Sequence, residues 1–214
     1  MLTSGDLDEF CTAIRELAKQ GLSPGSSGNF SLRDDDRVWV SRSGCEAQDC
    51  SPTDFVEFDL ISDKLLGSQA PSKELPLHLA MYEKNREVGC VIHLHSPSAM
   101  AVSALKPWSA VSAIPPITPY FVMKVGRAPL IPYFPPGSAQ LGEAVAKLPG
   151  SFNAFLMQNH GFTVGFSDVG STRQAAIEME STCEIWLKVW NLDPRLLSDD
   201  EAKYLAEKSG TFWA

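Results

Sequence analysis

Four histidines and one glutamate carry most of the chemistry this sequence offers. His93 and His95 stand two apart in the run Gly89-Cys90-Val91-Ile92-His93-Leu94-His95, the most apolar strand candidate in the chain. A strand repeats its side-chain direction every second residue, so both imidazoles leave one face and Leu94 leaves the other. Paired neutral imidazoles suit a divalent cation such as zinc, although two histidines satisfied separately by backbone groups would show the same spacing. His160 sits at a strand-to-strand turn, Asn159-His160-Gly161, where glycine lets neighbouring backbone approach closely. Three histidines with a fourth position open is the ligand set of a catalytic zinc. Glu74 opens a helix after Pro71-Ser72-Lys73, and His78 follows it by one turn on the same face. Glu74 reads either as an acid favoured by the helix dipole or as a general base and additional ligand beside the cation. His78 reads as a second pocket residue, ligand or proton carrier, or as a histidine packed against Tyr82.

Three small turns suit an anion. Ser26-Ser27-Gly28-Asn29, Ser43-Gly44 and Ser72-Lys73 each adjoin a predicted strand or helix end. Such turns expose backbone N–H groups, and helix N-termini add a favourable partial charge. Lys73 brings a full positive charge next to the candidate base.

The elements that must position these residues follow from pattern. Leu7, Phe10, Ile14, Leu17 and Ala18 predict a helix over 6–20, stopped by Gly21. Residues 29–32 and 37–40 form one predicted hairpin, and 55–59 with 64–66 a second. A helix is expected over 74–85, a strand over 89–95, and a helix through Leu105 capped by Ser96 with Pro97 in its first turn. The proline-rich stretch 115–136 reads as loop with short edge strands. A helix over 139–147, strands at 154–157 and 162–165, and a long helix over 170–190 follow. The tail, 198–214, reads as a short amphipathic helix with an aromatic end. Hairpins mixed with helices indicate α/β layers on a largely antiparallel sheet, and no glycine-rich turn of the dinucleotide-binding type joins a strand to a helix.

Composition bounds the function. The 214 residues are 44% hydrophobic and 21% charged, an ordinary globular mixture for a single domain spanning 1–214. A net charge of −8 argues against a nucleic-acid binder. No apolar run approaches the ~20 residues that span a bilayer, so no membrane partner is expected. The opening Met1-Leu2-Thr3-Ser4-Gly5-Asp6 has neither a basic nor an apolar leader segment. Five scattered cysteines form no CxxC pair and read as reduced, buried thiols, which points to the cytoplasm.

Taken in order, Gly28-Asn29-Phe30-Ser31, Ser43-Gly44, Pro71-Ser72-Lys73-Glu74 with His78, His93-Leu94-His95 and Asn159-His160-Gly161 resemble the class II aldolase/epimerase superfamily. Fuculose-phosphate aldolase, ribulose-phosphate 4-epimerase and the adducin head typify that group. The resemblance runs from about Leu7 to Trp190. It implies a three-layer α/β/α fold around a mainly antiparallel sheet, a zinc or other divalent ion held by His93, His95 and His160, and a homotetramer with sites between subunits. It also implies that Glu74 is the acid/base and approaches the metal, and that Ser26, Gly28, Asn29, Ser43, Gly44, Ser72 and Lys73 bind phosphate.

Ser72-Lys73-Glu74, with the segments 116–126 and 132–137, looks most like the 3-oxo-tetronate 4-phosphate decarboxylases. That likeness implies a small phosphorylated sugar acid as substrate, with Tyr120 as a pocket residue taking part in catalysis beside Glu74. Lys124 and Arg127 stand where the epimerases carry an acid. The expected reaction is decarboxylation to dihydroxyacetone phosphate through an enediolate stabilised by the metal. Glu74 would then deliver a proton to carbon, which requires burial to raise its pKa against Lys73 and the cation. A sugar-phosphate aldolase would pass through the same enediolate and is the runner-up. A non-catalytic module like the adducin head is the third reading, disfavoured by the complete set of histidines and Glu74.

Overall fold

The alternation of apolar runs and helical stretches resolves, in a computed structural model describing residues 3–213, into eight strands and seven α-helices among the described residues. Met1 and Leu2 of the leader reading and Ala214 of the tail reading lie outside the described residues. Helix α1 (Ser4–Lys19) buries Phe10, Ile14 and Leu17. It starts two residues earlier than its apolar periodicity suggests because Thr3 and Asp6 form a capping box, each side chain receiving the other's backbone N–H.

The two hairpins occupy their predicted places, β1 (Asn29–Asp34) with β2 (Arg37–Ser41) and β3 (Phe55–Asp59) with β4 (Lys64–Leu66). Helix α2 (Leu75–Lys84) leads to β5 (Cys90–Leu94), and α3 (Pro97–Ser103) follows. Next come α4 (Pro119–Lys124), β6 (Leu130–Ile131) and α5 (Ala139–Lys147). The hairpin β7 (Ala154–Met157) and β8 (Gly161–Phe166), then α6 (Val169–Val189) and α7 (Asp199–Ser209), complete the order.

All strands join one sheet in the order β4-β3-β2-β1-β5-β8-β7-β6, antiparallel at every pairing except β6 with β7. The pleat divides each strand between two cores. Phe30, Leu32, Cys90, Ile92, Leu94, Phe162 and Val164 pack with α1, α3, α4, α6 and α7. Val38, Val40, Val91, Phe155 and Met157 pack with α2 and α5 on the opposite face. The result is the expected three-layer α/β/α arrangement. β5 lies mid-sheet between both helical layers, which is why all five of its residues are buried.

Two local readings need correction. The stretch 115–136 contains α4, which the prolines disguise: Pro119 takes the first helical turn, where its missing N–H costs nothing, and Thr118 Oγ1 accepts from Phe121 N–H. Second, Ser96 makes no side-chain cap on α3. Glu180 reaches across from α6 instead, its carboxylate accepting from the Ser98 and Ala99 N–H groups and from the Ser96 hydroxyl. An anion at a helix N-terminus is favoured by the dipole, and this one clamps the segment directly after His95.

The chain end docks on α4. Thr211 Oγ1 donates to the Val122 carbonyl, Arg127 N–H donates to the Phe212 carbonyl, and Trp213 meets Phe121 edge-on at 6.0 Å. Gly89, at the entry to β5, has no room for a side chain: a Cβ there would lie 2.4 Å from the Ser167 carbonyl oxygen. Gly89→Ala is therefore expected to lower stability by about 1–3 kcal/mol. Urea unfolding checks this, and an unchanged midpoint would show that the β5–β8 edge yields freely.

Candidate active site

The site grows from the sheet face that carries α2. Register places Asn29 of β1 opposite His93 of β5, and His93 opposite Thr163 of β8. Two residues on, beyond the end of β5, His95 leaves the same face as His93, and the turn before β8 adds His160. Asn159 adopts a left-handed backbone, φ 57°, to make that turn. Gly161 permits the close approach, since a Cβ there would lie 2.4 Å from the Leu94 carbonyl oxygen. Glu74 is the N-cap residue of α2, one position before the predicted helix becomes regular.

These side chains converge. One ligand atom from each of Glu74, His93, His95 and His160 falls within a cluster of mutual separations no greater than 4.8 Å. Glu74 Oε2 is 3.1 Å from His93 Nε2, Oε1 is 3.4 Å from His160 Nε2, and the Nε2 atoms of His93 and His95 are 2.8 Å apart. His93 is fully buried, and Glu74 and His160 are nearly so.

His93 Nδ1–H donates to the Phe162 carbonyl at 2.8 Å, fixing the tautomer that leaves the Nε2 lone pair facing the cluster. Burial and the neighbouring imidazoles push the pKa of His95 down to about 3 and that of His160 to about 4, so both present lone pairs at neutral pH. Glu74 Oε1 and His160 Nε2 are buried with no hydrogen-bond partner. Three inward lone pairs and a carboxylate, two of their atoms otherwise orphaned, are the donor set a divalent cation requires, and such a cation would satisfy them together.

Glu74 departs from expectation in one respect. Burial does act to raise its pKa, but His93, Asn29 and His160 outweigh burial and hold it well below the usual carboxylate range. The carboxylate is therefore ionised before substrate arrives.

His78 joins neither the ligands nor the pocket. It is fully buried behind Asn29, with Nε2 2.6 Å from Asn29 Oδ1 and Nδ1 2.7 Å from Ser31 Oγ. Ser31 Oγ is also 2.7 Å from Tyr82 Oη. One assignment of protons satisfies this chain from the carboxylate outward. An ionised Glu74 only accepts, so Asn29 Nδ2 donates to it at 2.9 Å and Asn29 Oδ1 must accept. His78 Nε2–H then donates, Nδ1 accepts from Ser31, and Ser31 accepts from Tyr82. Four residues thus point every donor toward Glu74. The sequence reading missed Ser31; it lies two residues after Asn29 on β1, so the strand period would have found it.

The phosphate candidates lie around this floor. An isolated bridge between Arg42 and Pro71, with Ser43 N–H donating to Ala70 and Ser72 N–H to Ser41, sets the Ser43-Gly44 turn beside Ser72-Lys73. Gly44 requires its residue type at φ +74°. Ser26, Ser43, Gly44 and Lys73 are exposed, whereas Gly28, Asn29 and Ser72 are buried. Gly137 packs over Lys73, where a Cβ would meet the lysine Cβ at 2.8 Å. Tyr120, on α4, has 63% of its surface exposed, unlike the buried cluster. Lys124 donates to Gln174, and Arg127 is buried with its guanidinium on the carbonyls of Pro149 and Ser151, so Arg127 serves the fold.

Fold and site together define a class. The family described as "Class II Aldolase and Adducin N-terminal domain" matches residues 8–187, and the chain belongs to it. Among curated relatives, the 3-oxo-tetronate 4-phosphate decarboxylase of Haemophilus influenzae is 37% identical over 91% of this chain and 92% of its own. The 5-deoxy-D-ribulose 1-phosphate aldolase of Bacillus thuringiensis is 29% identical over 97% of each chain. Among solved structures, YgbL of Klebsiella pneumoniae, described as an aldolase/epimerase/decarboxylase, superposes with a TM-score of 0.88 at 31% identity, covering 96% of this chain and 100% of that one. An L-fuculose 1-phosphate aldolase superposes at 0.83 with 24% identity over 97% of each chain, a likeness of fold alone.

The buried chain behind Glu74 has a signature in pH. Burial lowers the His78 pKa from 6.5 to about 3. Below 6.5 the unfolded chain takes up a proton that the folded protein refuses, so stability is complete above that value and falls as pH falls toward 3. His78→Gln is expected to remove one proton from that dependence while weakening the hold on Asn29. Unfolding of the metal-free proteins across pH 3–7 checks this, and an unaltered slope would mean that His78 is protonated in the fold.

Proposed function

We propose that this chain is a zinc-dependent lyase that converts a 3-oxo-tetronate 4-phosphate to dihydroxyacetone phosphate and CO2. The observation that carries the reading is the convergence of three imidazole Nε2 atoms and an ionised, buried carboxylate, with Glu74 Oε1 and His160 Nε2 otherwise unpartnered. The likeness to the decarboxylases supports the choice of reaction. His93, His95 and His160 hold the metal, and Glu74 lies close enough to be an additional ligand. When bound, the ion is a Lewis acid that stabilises negative charge developing on the substrate's ketone oxygen.

The chain's own residues do the rest. Ser26, Gly28, Asn29, Ser43, Gly44, Ser72 and Lys73 bind the phosphate, and binding energy remote from the reacting bond fixes its orientation. The C1–C2 bond breaks, its electrons enter a C2–C3 double bond as CO2 leaves, and the ketone oxygen takes up the charge. C2 then needs a proton. Because Glu74 is ionised at rest, it first accepts a proton, from the substrate's C2 hydroxyl, and then returns it to C2; solvent restores the hydroxyl proton. Asn29 keeps the carboxylate aimed throughout.

Tyr120 completes the pocket from a neighbouring subunit of a homotetramer, in keeping with its exposure in its own chain. The exposed Trp190, Leu192 and Tyr204 offer apolar surface for such an assembly. The 214 residues act as one domain in the cytoplasm, where the five free thiols would stay reduced.

Aldolase chemistry is the second reading, favoured by relatives that match the chain almost end to end. Incubation with 3-oxo-tetronate 4-phosphate should release dihydroxyacetone phosphate with no aldehyde added, and chelation should abolish it. Cleavage of fuculose or ribulose phosphates without decarboxylation would transfer the assignment to the aldolases. Glu74→Gln should lower turnover about 100- to 10,000-fold with metal content measured in parallel. Full turnover in that variant would refute the proton-transfer role.

A further inference from the structure

Away from the histidines, the fold gathers three of the five cysteines around Cys50. Cys11 lies on α1, Cys45 directly follows the Ser43-Gly44 turn, and Cys50 ends a 3-10 turn over Ala47–Asp49. All three are buried, with 3% exposure or less. Cys50 Sγ is 3.7 Å from Cys11 Sγ on one side; on the other, the sulphurs of Cys45 and Cys50 lie within 4.8 Å of each other and of an Asp54 carboxylate oxygen, a close set to which Cys11 is joined through Cys50 alone.

That spacing has a chemical meaning. A tetrahedral ion with sulphur ligands at about 2.3 Å places those sulphurs about 3.8 Å apart. A disulfide needs about 2.05 Å. The Cys11–Cys50 separation thus matches an edge of a coordination tetrahedron. Asp54 can supply the fourth corner: Oδ1 accepts from Arg42 Nε, and Oδ2 accepts from Ser51 N–H and Oγ–H. Of the roughly four acceptor sites on a carboxylate, one remains, on Oδ1.

Charge closes as well. Three thiolates and a carboxylate carry four negative charges against two on a divalent ion. Arg42 on Asp54 and Arg15, which donates to the Cys50 carbonyl, supply the other two.

We propose that Cys45, Cys50 and Asp54, with Cys11 drawn in from its contact with Cys50, form a second metal site, separate from the histidine cluster, for a thiophilic divalent ion of the zinc and cadmium class. Binding involves no redox change: three S–H groups each lose a proton to solvent and three metal–sulphur bonds form. Occupancy would tie α1 to the turn that carries Ser43 and Gly44, so the site braces one wall of the phosphate region without touching substrate.

The probe is Cd2+ added to the full chain with zinc already in the histidine site. One further equivalent per chain should produce a thiolate-to-cadmium charge-transfer band in the ultraviolet, release three protons, raise the melting temperature and protect these thiols from alkylation. The histidine cluster contains no sulphur and cannot give that band. Cys50→Ser should abolish it and leave lyase turnover intact, whereas Cys183→Ala should retain it. Should Cys50→Ser not fold, Cys11→Ala serves the same purpose. No band at stoichiometric Cd2+ in the wild type would overturn the site. A band surviving Cys50→Ser, or a Cys11–Cys50 disulfide formed in place of metal uptake, would do so too.

Discussion

An ionised carboxylate held almost out of water is the constraint on which the rest of this structure depends. Burying an unpaired charge is prohibitive, so Glu74 needs a partner on each side. The Asn29 amide donates on one side, and on the other stand His93 and His160, whose inward lone pairs suit a shared cation. Each partner must in turn be fixed, and this explains the polar interior of an otherwise apolar layer. Ser31, His78 and Tyr82 occupy positions that Leu or Phe would fill in an ordinary core, and all three are buried. The polarised chain they form is complete from Tyr82 to the carboxylate, so it specifies one geometry at little cost in unsatisfied groups.

Antiparallel pairing translates that requirement into topology. Asn29 and His93 face each other across β1 and β5 because the strands run opposite ways in one register. A slip by one residue would send Phe30 and Ile92 to the α2 side and carry both polar groups into the other core. Apolar alternation on the α1–α6 side therefore protects the polar alternation on the α2 side. The Glu180 clamp extends the same control past the strand end, holding the backbone just beyond His95 where sheet hydrogen bonds stop.

Much of this was legible in the amino-acid sequence because the relevant signals are local. The HxH spacing, the hairpins at 29–40 and 55–66 and the apolar stripe of α1 depend on neighbours in sequence. What was not legible joins distant residues. Glu180 lies 84 positions from Ser96, and nothing in a long helix marks one glutamate as the cap of another. His78 was visible as a companion of Glu74 on one helical face, but its turn toward Asn29 and Ser31 depends on where α2 settles on the sheet. The charge state of Glu74 was misread for the same reason: burial alone raises a carboxyl pKa, and the opposing groups come from β1, β5 and the turn before β8. Helix α4 was hidden by prolines whose usual meaning is a break.

The exposure pattern divides the site into two levels with different physics. His93, His160 and Glu74 form a floor of low accessibility, where electrostatic interactions act with little screening. Ser26, Ser43, Gly44 and Lys73, the phosphate candidates, are by contrast exposed to water. A substrate with a phosphate at one end and a β-keto acid at the other suits such a gradient, since a dianion is held most cheaply where water still reaches it. Charge separation along the ligand, rather than the protein's net −8, then decides binding. The same gradient fits the need for a resting carboxylate. Glu74 is ionised at rest, so in the proposed reaction it would carry a proton only once substrate brought a hydroxyl into reach, and proton transfer would be confined to the occupied site.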